Sequence, residues 1–387
     1  MASDFPSTST PESPALTGLR GVAAVLVVMH HASLHLGAVD LPWAGGLLQK
    51  GYLGVDLFFV LSGFVMSMVY GSWFTGGALG AVAPGRRADM AGSLAVFLVR
   101  RAGRVWPLHA AVLAVLMAGL ALSGQVLPSL RFTMANLLLV QGWGVSGEIN
   151  APAWSVSTEV AAYLLFPLLA RPVLRWRWGA VLGVAATAVL LTACFALAPP
   201  VGPARRGMLD VHMNYSVLPA MRCVAGFLLG MVAWRAGRVP ALARLAGRPW
   251  TGVGAFLVAL GLMLARADDL LVLALMPPVV IGLHCGRGRL WRLFTLQPVH
   301  GLGVLSYAIY LIHYALMPVL LDGPGPVAAR LGLYAATTLL LAALAHYCIE
   351  RPTRKLIRWA GEVMVMPTAH PMLARLARYG AARRGHL

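Results

Sequence analysis

The first residues of the chain that could do chemistry, Arg20 and His31, lie within one long apolar run typical of a membrane-spanning helix. They are eleven positions apart. At about 100° per residue, this spacing places them on one helical face, roughly 16 Å apart along the axis. Ionisable groups inside a membrane helix are costly and normally face a partner or a water-filled cavity. The pattern predicts a site that grips an anionic carrier near one membrane surface and delivers its reactive end to a base deeper inside.

A second pair of cations, Arg101 and Arg104, precedes another apolar run. Their i, i+3 spacing projects both from one face of a helical turn, and paired guanidinium groups can fork onto phosphate oxygens. With Arg20, they are predicted to clamp the phosphates of the anionic carrier at the inner mouth of a helix bundle. The alternative is that the cluster 100–104 only anchors a helix end.

His31 is predicted to act as a general base, because a neutral imidazole titrates near neutral pH. His35 follows at i+4, which would also suit a metal, but His31 is not followed by the Glu of the zinc-protease pattern. No metal is therefore expected. The alternative for His31 is a buried histidine satisfied by a backbone carbonyl.

Carboxylates are scarce, so each is a candidate. Asp56 falls near the outer end of the second predicted span, and Glu159 lies about two turns into the fourth. Either is predicted to orient the His31 ring or to stabilise its cation. Glu350 stands beside Arg351 at the inner end of the last span, where a surface ion pair is expected.

The ninth predicted span carries Tyr307, Tyr310 and His313, of which the last two share a face at i, i+3. Tyr310 and His313, together with Trp154, are predicted to contact substrate. The alternative is that these polar groups form hydrogen bonds within the interior of the bundle.

The elements that must position these residues are membrane helices. Hydrophobic residues make up 59% of the 387 positions and charged residues only 11%, whereas a soluble domain carries about a quarter charged residues. Apolar runs of about 20 residues recur, each long enough to cross a hydrocarbon core. The sequence predicts an all-α integral membrane protein of about ten spans: 15–36, 53–74, 106–123, 152–170, 179–198, 217–235, 250–266, 269–285, 301–321 and 328–349.

Charge predicts the orientation of these spans. The net charge of +18 would suggest a nucleic-acid partner in a soluble protein. Here most of the 31 Lys and Arg residues fall in alternate connections, which places both termini in the cytoplasm. The apolar segment 131–141 is too short to span comfortably and would disturb this partition, so it is predicted to be re-entrant or interfacial. We expect a disordered arm at 1–14, one membrane domain at 15–356 and a basic cytoplasmic tail at 357–387 that contacts anionic lipid.

Six motifs, in order along the chain, resemble those of the membrane-bound acyltransferase-3 family of bacterial O-acyltransferases. They are Leu19-Arg-Gly21 followed by His31, Gly51-Tyr-Leu-Gly-Val-Asp-Leu-Phe-Phe-Val-Leu-Ser-Gly-Phe64, Arg101 and Arg104 before Trp106-Pro107, Trp154-Ser-Val-Ser-Thr-Glu159, Ser306-Tyr-Ala-Ile-Tyr-Leu-Ile-His313, and Ile349-Glu-Arg-Pro352. The resemblance covers about residues 15 to 356.

The resemblance implies ten helices in the bacterial inner membrane, a cytoplasmic acyl-CoA donor, and a hydroxyl acceptor on the far side, usually a sugar of a polysaccharide or glycolipid. By position, His31 resembles the essential base, Arg20 the cation of the same motif, and Arg101 and Arg104 the coenzyme A contacts. Glu159 also matches a functionally important position. Some members carry a C-terminal esterase-like domain, which is not expected here.

We therefore expect an O-acyltransferase, with acetyl-CoA as the expected donor and an exported polysaccharide or lipid-linked sugar as the acceptor. Direct transfer is favoured over an acyl-histidine intermediate. The first alternative is a proton-coupled secondary transporter that uses the embedded charges as a pathway. The second is a sensor that binds acyl-CoA or glycan without chemistry. Oligomeric state cannot be predicted from the sequence.

Overall fold

The computed structural model describes residues 13–37, 44–76, 90–201, 205–211, 214–286 and 288–357. Within these ranges the chain is helical, which confirms the all-α prediction. The predicted arm (1–14) and tail (357–387) fall almost wholly outside the described residues.

Fourteen α-helices follow one another along the described chain. They are α1 (Pro14–His35), α2 (Gly45–Lys50), α3 (Leu53–Phe74), α4 (Met90–Leu122), α5 (Leu130–Leu137), α6 (Ala153–Arg175), α7 (Gly179–Leu197), α8 (Leu218–Gly237), α9 (Pro240–Ala246), α10 (Thr251–Leu264), α11 (Asp269–Cys285), α12 (Arg289–Leu293), α13 (Gln297–Leu320) and α14 (Val327–Ala345). A π turn at His346–Glu350 continues α14, so that an apolar helix extends over Val327–Ile357.

Eight of the described helices are individually long and apolar enough to cross a membrane: α1, α3, α4, α6, α7, α8, α13 and the extended α14. The pair α9 and α10, bent by 66°, gives a ninth candidate. The eighth predicted span, 269–285, corresponds to α11, whose 17 residues reach only about 25 Å. The helices that form the seventh and eighth predicted spans, α10 and α11, are therefore each shorter than a typical membrane-spanning helix.

Hydrogen bonds to Asp269 show which end of the bundle α11 starts from. Its carboxylate accepts bonds from Lys50 Nζ at 2.6 Å, from the Tyr52 hydroxyl at 2.7 Å and from the Leu209 backbone N–H at 2.8 Å. The start of α11 thus lies at the same end as the α1–α3 and α7–α8 connections, so α10 and α11 run along the bundle beside the long helices. Burial raises the pKa of Tyr52, and Asp269 raises it further, so this phenol stays protonated and keeps donating its bond.

The segment 131–141 forms the eight-residue α5 followed by a short 3₁₀ turn, Gln141–Trp143. A helix of eight residues is only about 12 Å long and cannot span a bilayer, as predicted. Two side chains of α4 hold it: Trp106 Nε1 donates to the carbonyl of Leu137 at 2.9 Å, and His109 Nε2 bonds the carbonyl of Asn136 at 2.8 Å.

Helices α1 and α13 pack against each other through glycines. A Cβ on Gly21 would lie 2.6 Å from the backbone nitrogen of Gly303, and a Cβ on Gly303 would overlap the carbonyl of Thr17. Only glycine allows the two backbones to approach this closely. The contact aligns α1, which carries His31, with α13, which carries His313.

Candidate active site

A cavity of about 660 Å³ opens among α1, α3, α4, α6 and α13. Among the described residues, four arginines line it, together with one carboxylate: Arg20, Arg101, Arg104, Arg354 and Glu159. Apolar side chains of α3, including Phe58 and Val65, form much of the remaining wall. The three arginines predicted from the sequence to act together therefore do line one cavity, and it is strongly cationic.

Arg101 is held within this cavity by aromatic side chains. Its guanidinium donates to the Tyr70 hydroxyl at 2.9 Å and lies 5.0 Å from the centre of the Tyr70 ring. Tyr163, 5.8 Å away, provides a second ring contact. The Nε of Arg101 is buried without a hydrogen-bond partner in the described structure. A buried guanidinium N–H of this kind is a donor for which a ligand oxygen is a suitable partner.

Arg354 was not predicted from the sequence to belong to the site. Its guanidinium donates to Glu350 Oε1 at 2.8 Å, and the other oxygen of Glu350 bonds His346 Nδ1 at 2.8 Å. The prediction that Glu350 pairs with Arg351 at the surface is wrong, because Glu350 is buried and residues at i and i+4 share a helical face whereas i and i+1 do not. That i, i+4 spacing was the available sequence signal for Arg354.

Glu159 lies in the cavity with the arginines. Tyr163, one turn further along α6, donates its hydroxyl to Glu159 Oε1 at 2.6 Å. The described hydrogen bond of Glu159 thus goes to Tyr163, whereas the sequence predicted that this carboxylate would orient His31. Because Glu159 lines the cavity, its carboxylate is placed to contact a ligand bound there.

Asp56, the other carboxylate predicted to assist His31, instead forms a buried ion pair with Arg222 of α8. Arg222 donates from Nε to Oδ1 at 2.8 Å and from a terminal nitrogen to Oδ2. Both oxygens are therefore engaged by one fork of donors, the geometry that guanidinium and carboxylate groups prefer. Arg222 is absent from the site residues predicted from the sequence, although its charge within the apolar run 217–235 was an available signal.

Trp154, predicted to contact substrate, is a packing residue in this structure. It is buried and does not line the cavity. Its ring lies 5.5 Å from the guanidinium carbon of Arg222 and packs edge to face on Phe59. Trp154 thus covers the Arg222–Asp56 pair.

His31 meets His313 of α13. Nδ1 of His31 lies 2.9 Å from Nε2 of His313, and the two rings stack with their centres 5.2 Å apart. Tyr314 contacts the His31 ring edge to face at 5.5 Å. His35, the possible metal partner of His31, bonds Asp322 at 2.7 Å instead. His31 and His35, both on α1, therefore have different partners.

The His31–His313 pair adjoins the cationic cavity without lying in its wall. Tyr310 lines the cavity, bonds the Ser155 hydroxyl at 2.7 Å, and accepts a bond from His313 Nδ1 at its carbonyl. Among the described residues, His31 does not line this cavity, although Arg20 does. This cavity therefore brings Arg20 together with Tyr310, whereas the prediction that the donor site continues to His31 stays a prediction.

Comparison with known proteins finds similarity to acyltransferases. Residues 13–347 match the profile of an acyltransferase domain. The chain is 28% identical to the acyltransferase MdmB of Streptomyces mycarofaciens, over 89% of this chain and 92% of that protein. It is 24% identical to the peptidoglycan O-acetyltransferase OatA of Listeria monocytogenes, over 88% of this chain but only 56% of that protein.

A third relative is the exopolysaccharide production protein ExoZ of Rhizobium meliloti, 28% identical over 78% of this chain and 89% of that protein. The chain thus spans nearly all of two relatives and about half of the peptidoglycan enzyme. No solved structure matches it.

Proposed function

The chain belongs to the membrane-bound acyltransferase-3 family of O-acyltransferases, and on that premise we propose that it transfers an acetyl group from acyl-CoA at the cytoplasmic side to a hydroxyl of an exported polysaccharide or lipid-linked sugar. The observation that carries the donor assignment is the cavity with four arginines and one carboxylate among its described lining residues. Family membership favours the enzyme over the secondary transporter and over a sensor without chemistry.

The cavity suits a long, multiply phosphorylated donor. Arginine is the side chain best matched to phosphate oxygens, because its fork of N–H groups binds two of them at once. Arg20, Arg101, Arg104 and Arg354 would bind the donor phosphates, and the apolar wall of α3 would cover the pantetheine arm. A volume of about 660 Å³ lies within the usual range for cofactor sites.

His31 is the proposed general base. It takes the proton of the acceptor hydroxyl while that oxygen attacks the thioester carbonyl. A C–O bond forms, the C–S bond breaks, and the leaving thiolate takes up the proton from the imidazolium. Tyr310 lines the cavity and its carbonyl accepts a hydrogen bond from His313, the partner of His31, so the thioester would reach His31 past Tyr310. Holding both substrates there provides proximity.

A glycan acceptor is supported by two relatives, whose names refer to peptidoglycan and to exopolysaccharide. Both classes present sugar hydroxyls outside the cytoplasm. We propose that the acceptor reaches His31 from the end of α1 that carries His35, opposite to the end that carries Arg20.

The test is transfer or hydrolysis of radiolabelled acetyl-CoA by the purified protein in lipid nanodiscs. We expect His31→Ala to lower turnover by about 100-fold or more, the usual contribution of a general base. His35→Ala is the matched control, since it removes an imidazole four residues away that bonds Asp322. Equal turnover by wild type and His31→Ala would eliminate His31 as the base.

A further inference from the structure

The hydrogen bonds of His313 determine where its proton lies. Its Nδ1 is 2.7 Å from the carbonyl oxygen of Tyr310 and 3.2 Å from that of Ile309. Carbonyl oxygens only accept hydrogen bonds, so Nδ1 of His313 must carry the hydrogen. A neutral His313 therefore has its lone pair on Nε2.

That lone pair faces His31. Because Nε2 of His313 accepts, the His31 Nδ1 at 2.9 Å must be the donor and must carry the proton of a neutral His31 ring. The reverse arrangement would require His313 to be an imidazolium. Its side chain is completely buried, and its described contacts are carbonyls, aromatic rings and His31, with no carboxylate among them. A buried cation of this kind is strongly disfavoured.

We propose that His313 is a positioning residue that holds His31 in the Nδ1–H tautomer, so that Nε2 of His31 is the nitrogen that removes the acceptor proton. This inference rests on the proposed function and changes the role predicted for His313 from contacting substrate to orienting the base. In the transfer step, the hydroxyl proton goes to His31 Nε2 and then to the departing thiolate. The Nδ1 proton stays on its bond to His313 throughout.

The scaffold around His313 supports this role. The Tyr334 hydroxyl of α14 donates to the His313 carbonyl at 3.2 Å, and Ser155 bonds the Tyr310 hydroxyl at 2.7 Å. The carbonyl of His313 is thus tied to α14, and the side chain of Tyr310, whose carbonyl accepts the Nδ1 hydrogen bond, is tied to α6. A base acting through one fixed nitrogen needs this kind of support, since a wrong tautomer presents N–H where a lone pair is required.

The direct test is ¹⁵N NMR of the histidine-labelled full-length protein in nanodiscs, with His31→Gln used to assign the signals. We expect the His31 ring to show a protonated Nδ1 and an unprotonated Nε2 in the neutral state. A His31 ring protonated at Nε2 would overturn the proposal. This measurement needs neither substrate nor turnover, so its outcome is separate from that of the acetyl-CoA assay.

The kinetic test compares two substitutions at one position. Leucine at 313 removes the acceptor, and we expect His313→Leu to lower kcat by about 100-fold while KM for acetyl-CoA changes by less than about twofold. His313→Gln supplies an amide oxygen near the position of Nε2, and we expect it to recover kcat to within about fivefold of wild type. His300→Leu, on the same helix and outside the site, controls for loss of a histidine. Equal kcat in the Leu and Gln variants, whether both high or both low, would contradict the tautomer role.

Discussion

Arg104 and Arg100 are two partly buried arginines of α4, of which only the first lines the cavity. Arg104 lines the cavity, whereas Arg100 does not and lies 5.5 Å from the Trp73 ring. The two residues are four positions apart and have the same chemistry. They therefore form a matched pair for testing whether the cavity binds a phosphorylated donor.

We expect Arg104→Ala to raise KM for acetyl-CoA by about 10-fold or more with a much smaller change in kcat. The reason is that a charged hydrogen bond to phosphate contributes about 1.5–3 kcal/mol in both ground and transition states. Arg100→Ala should leave both constants near wild type. Steady-state kinetics over a range of acetyl-CoA concentrations measures this, and a fall in kcat at unchanged KM would argue against a phosphate contact.

Asp56 has a structural role, which can be distinguished from a role in catalysis. Asp56→Asn leaves the buried Arg222 cation without its counter-ion, a loss that typically costs about 3–5 kcal/mol of stability. Asp322→Asn removes an exposed partner of His35 and should cost less than about 1 kcal/mol. Thermal unfolding in detergent compares the two variants. Unchanged stability in Asp56→Asn together with a large fall in kcat would instead support the original prediction that Asp56 assists His31.

At the scale of elements, the contact between α1 and α13 determines whether His31 meets His313. Gly303 lies against the backbone of Thr17, whereas Gly301, two residues earlier on the same helix, faces open space. We expect Gly303→Ala to push the two helices apart and to lower the free energy of unfolding by about 1–3 kcal/mol through overpacking. We also expect it to lower kcat, because the His31–His313 hydrogen bond is weakened. Gly301→Ala should behave as wild type in thermal unfolding and in turnover. Wild-type behaviour of Gly303→Ala would contradict this account of the packing.

The π turn is the second element that shapes the site. Single π turns insert into α-helices at functional positions more often than elsewhere. Here the turn contains both His346 and Glu350, and the helix that follows carries Arg354 into the cavity. We expect Glu350→Gln to raise KM for acetyl-CoA by about 3- to 10-fold, because Arg354 loses the charged partner that orients it. The same assay checks this, and an unchanged KM would remove Arg354 from the donor site.

At the scale of the whole molecule, the number of membrane crossings decides on which side of the membrane each connection between helices lies. The bonds of Asp269 place the connection between α10 and α11 at the same end as Lys50 and Leu209. With cytoplasmic termini, that end is the outer one. The predicted orientation itself has not been tested, because it follows from the distribution of Lys and Arg alone.

We therefore expect a cysteine at position 265, between α10 and α11, to react with a membrane-impermeant maleimide in intact cells. A cysteine at position 241, in α9, should react only after the membrane is permeabilised. The exposed Cys348 and the partly exposed Cys285 are first replaced by serine to remove background labelling of the parent protein. Ala265→Cys and Ala241→Cys are then compared for labelling. Protection of position 265 in intact cells, with labelling of position 241, would reverse the orientation.

The sequence by itself determined the helical membrane class, the family and the local spacing of charged residues. Long apolar runs have one stable solution in a bilayer, since every backbone group must bond within its own helix. The pair Arg101 and Arg104 could likewise be assigned to one face, because i, i+3 geometry needs no knowledge of other helices. Their convergence with Arg20 was predicted from depth instead, because the charge-based orientation places all three at the inner ends of their helices.

Only the tertiary structure decided which distant side chains meet. His31 and His313 are 282 positions apart, and Asp56 and Arg222 are 166 positions apart. No periodicity in the sequence links such pairs. They depend on which helices pack side by side and on how far the two helices are shifted along their axes where glycines allow close contact. The sequence therefore proposed His31 as the base and two carboxylates as its partners, whereas the described hydrogen bonds of those carboxylates go to Tyr163 and Arg222.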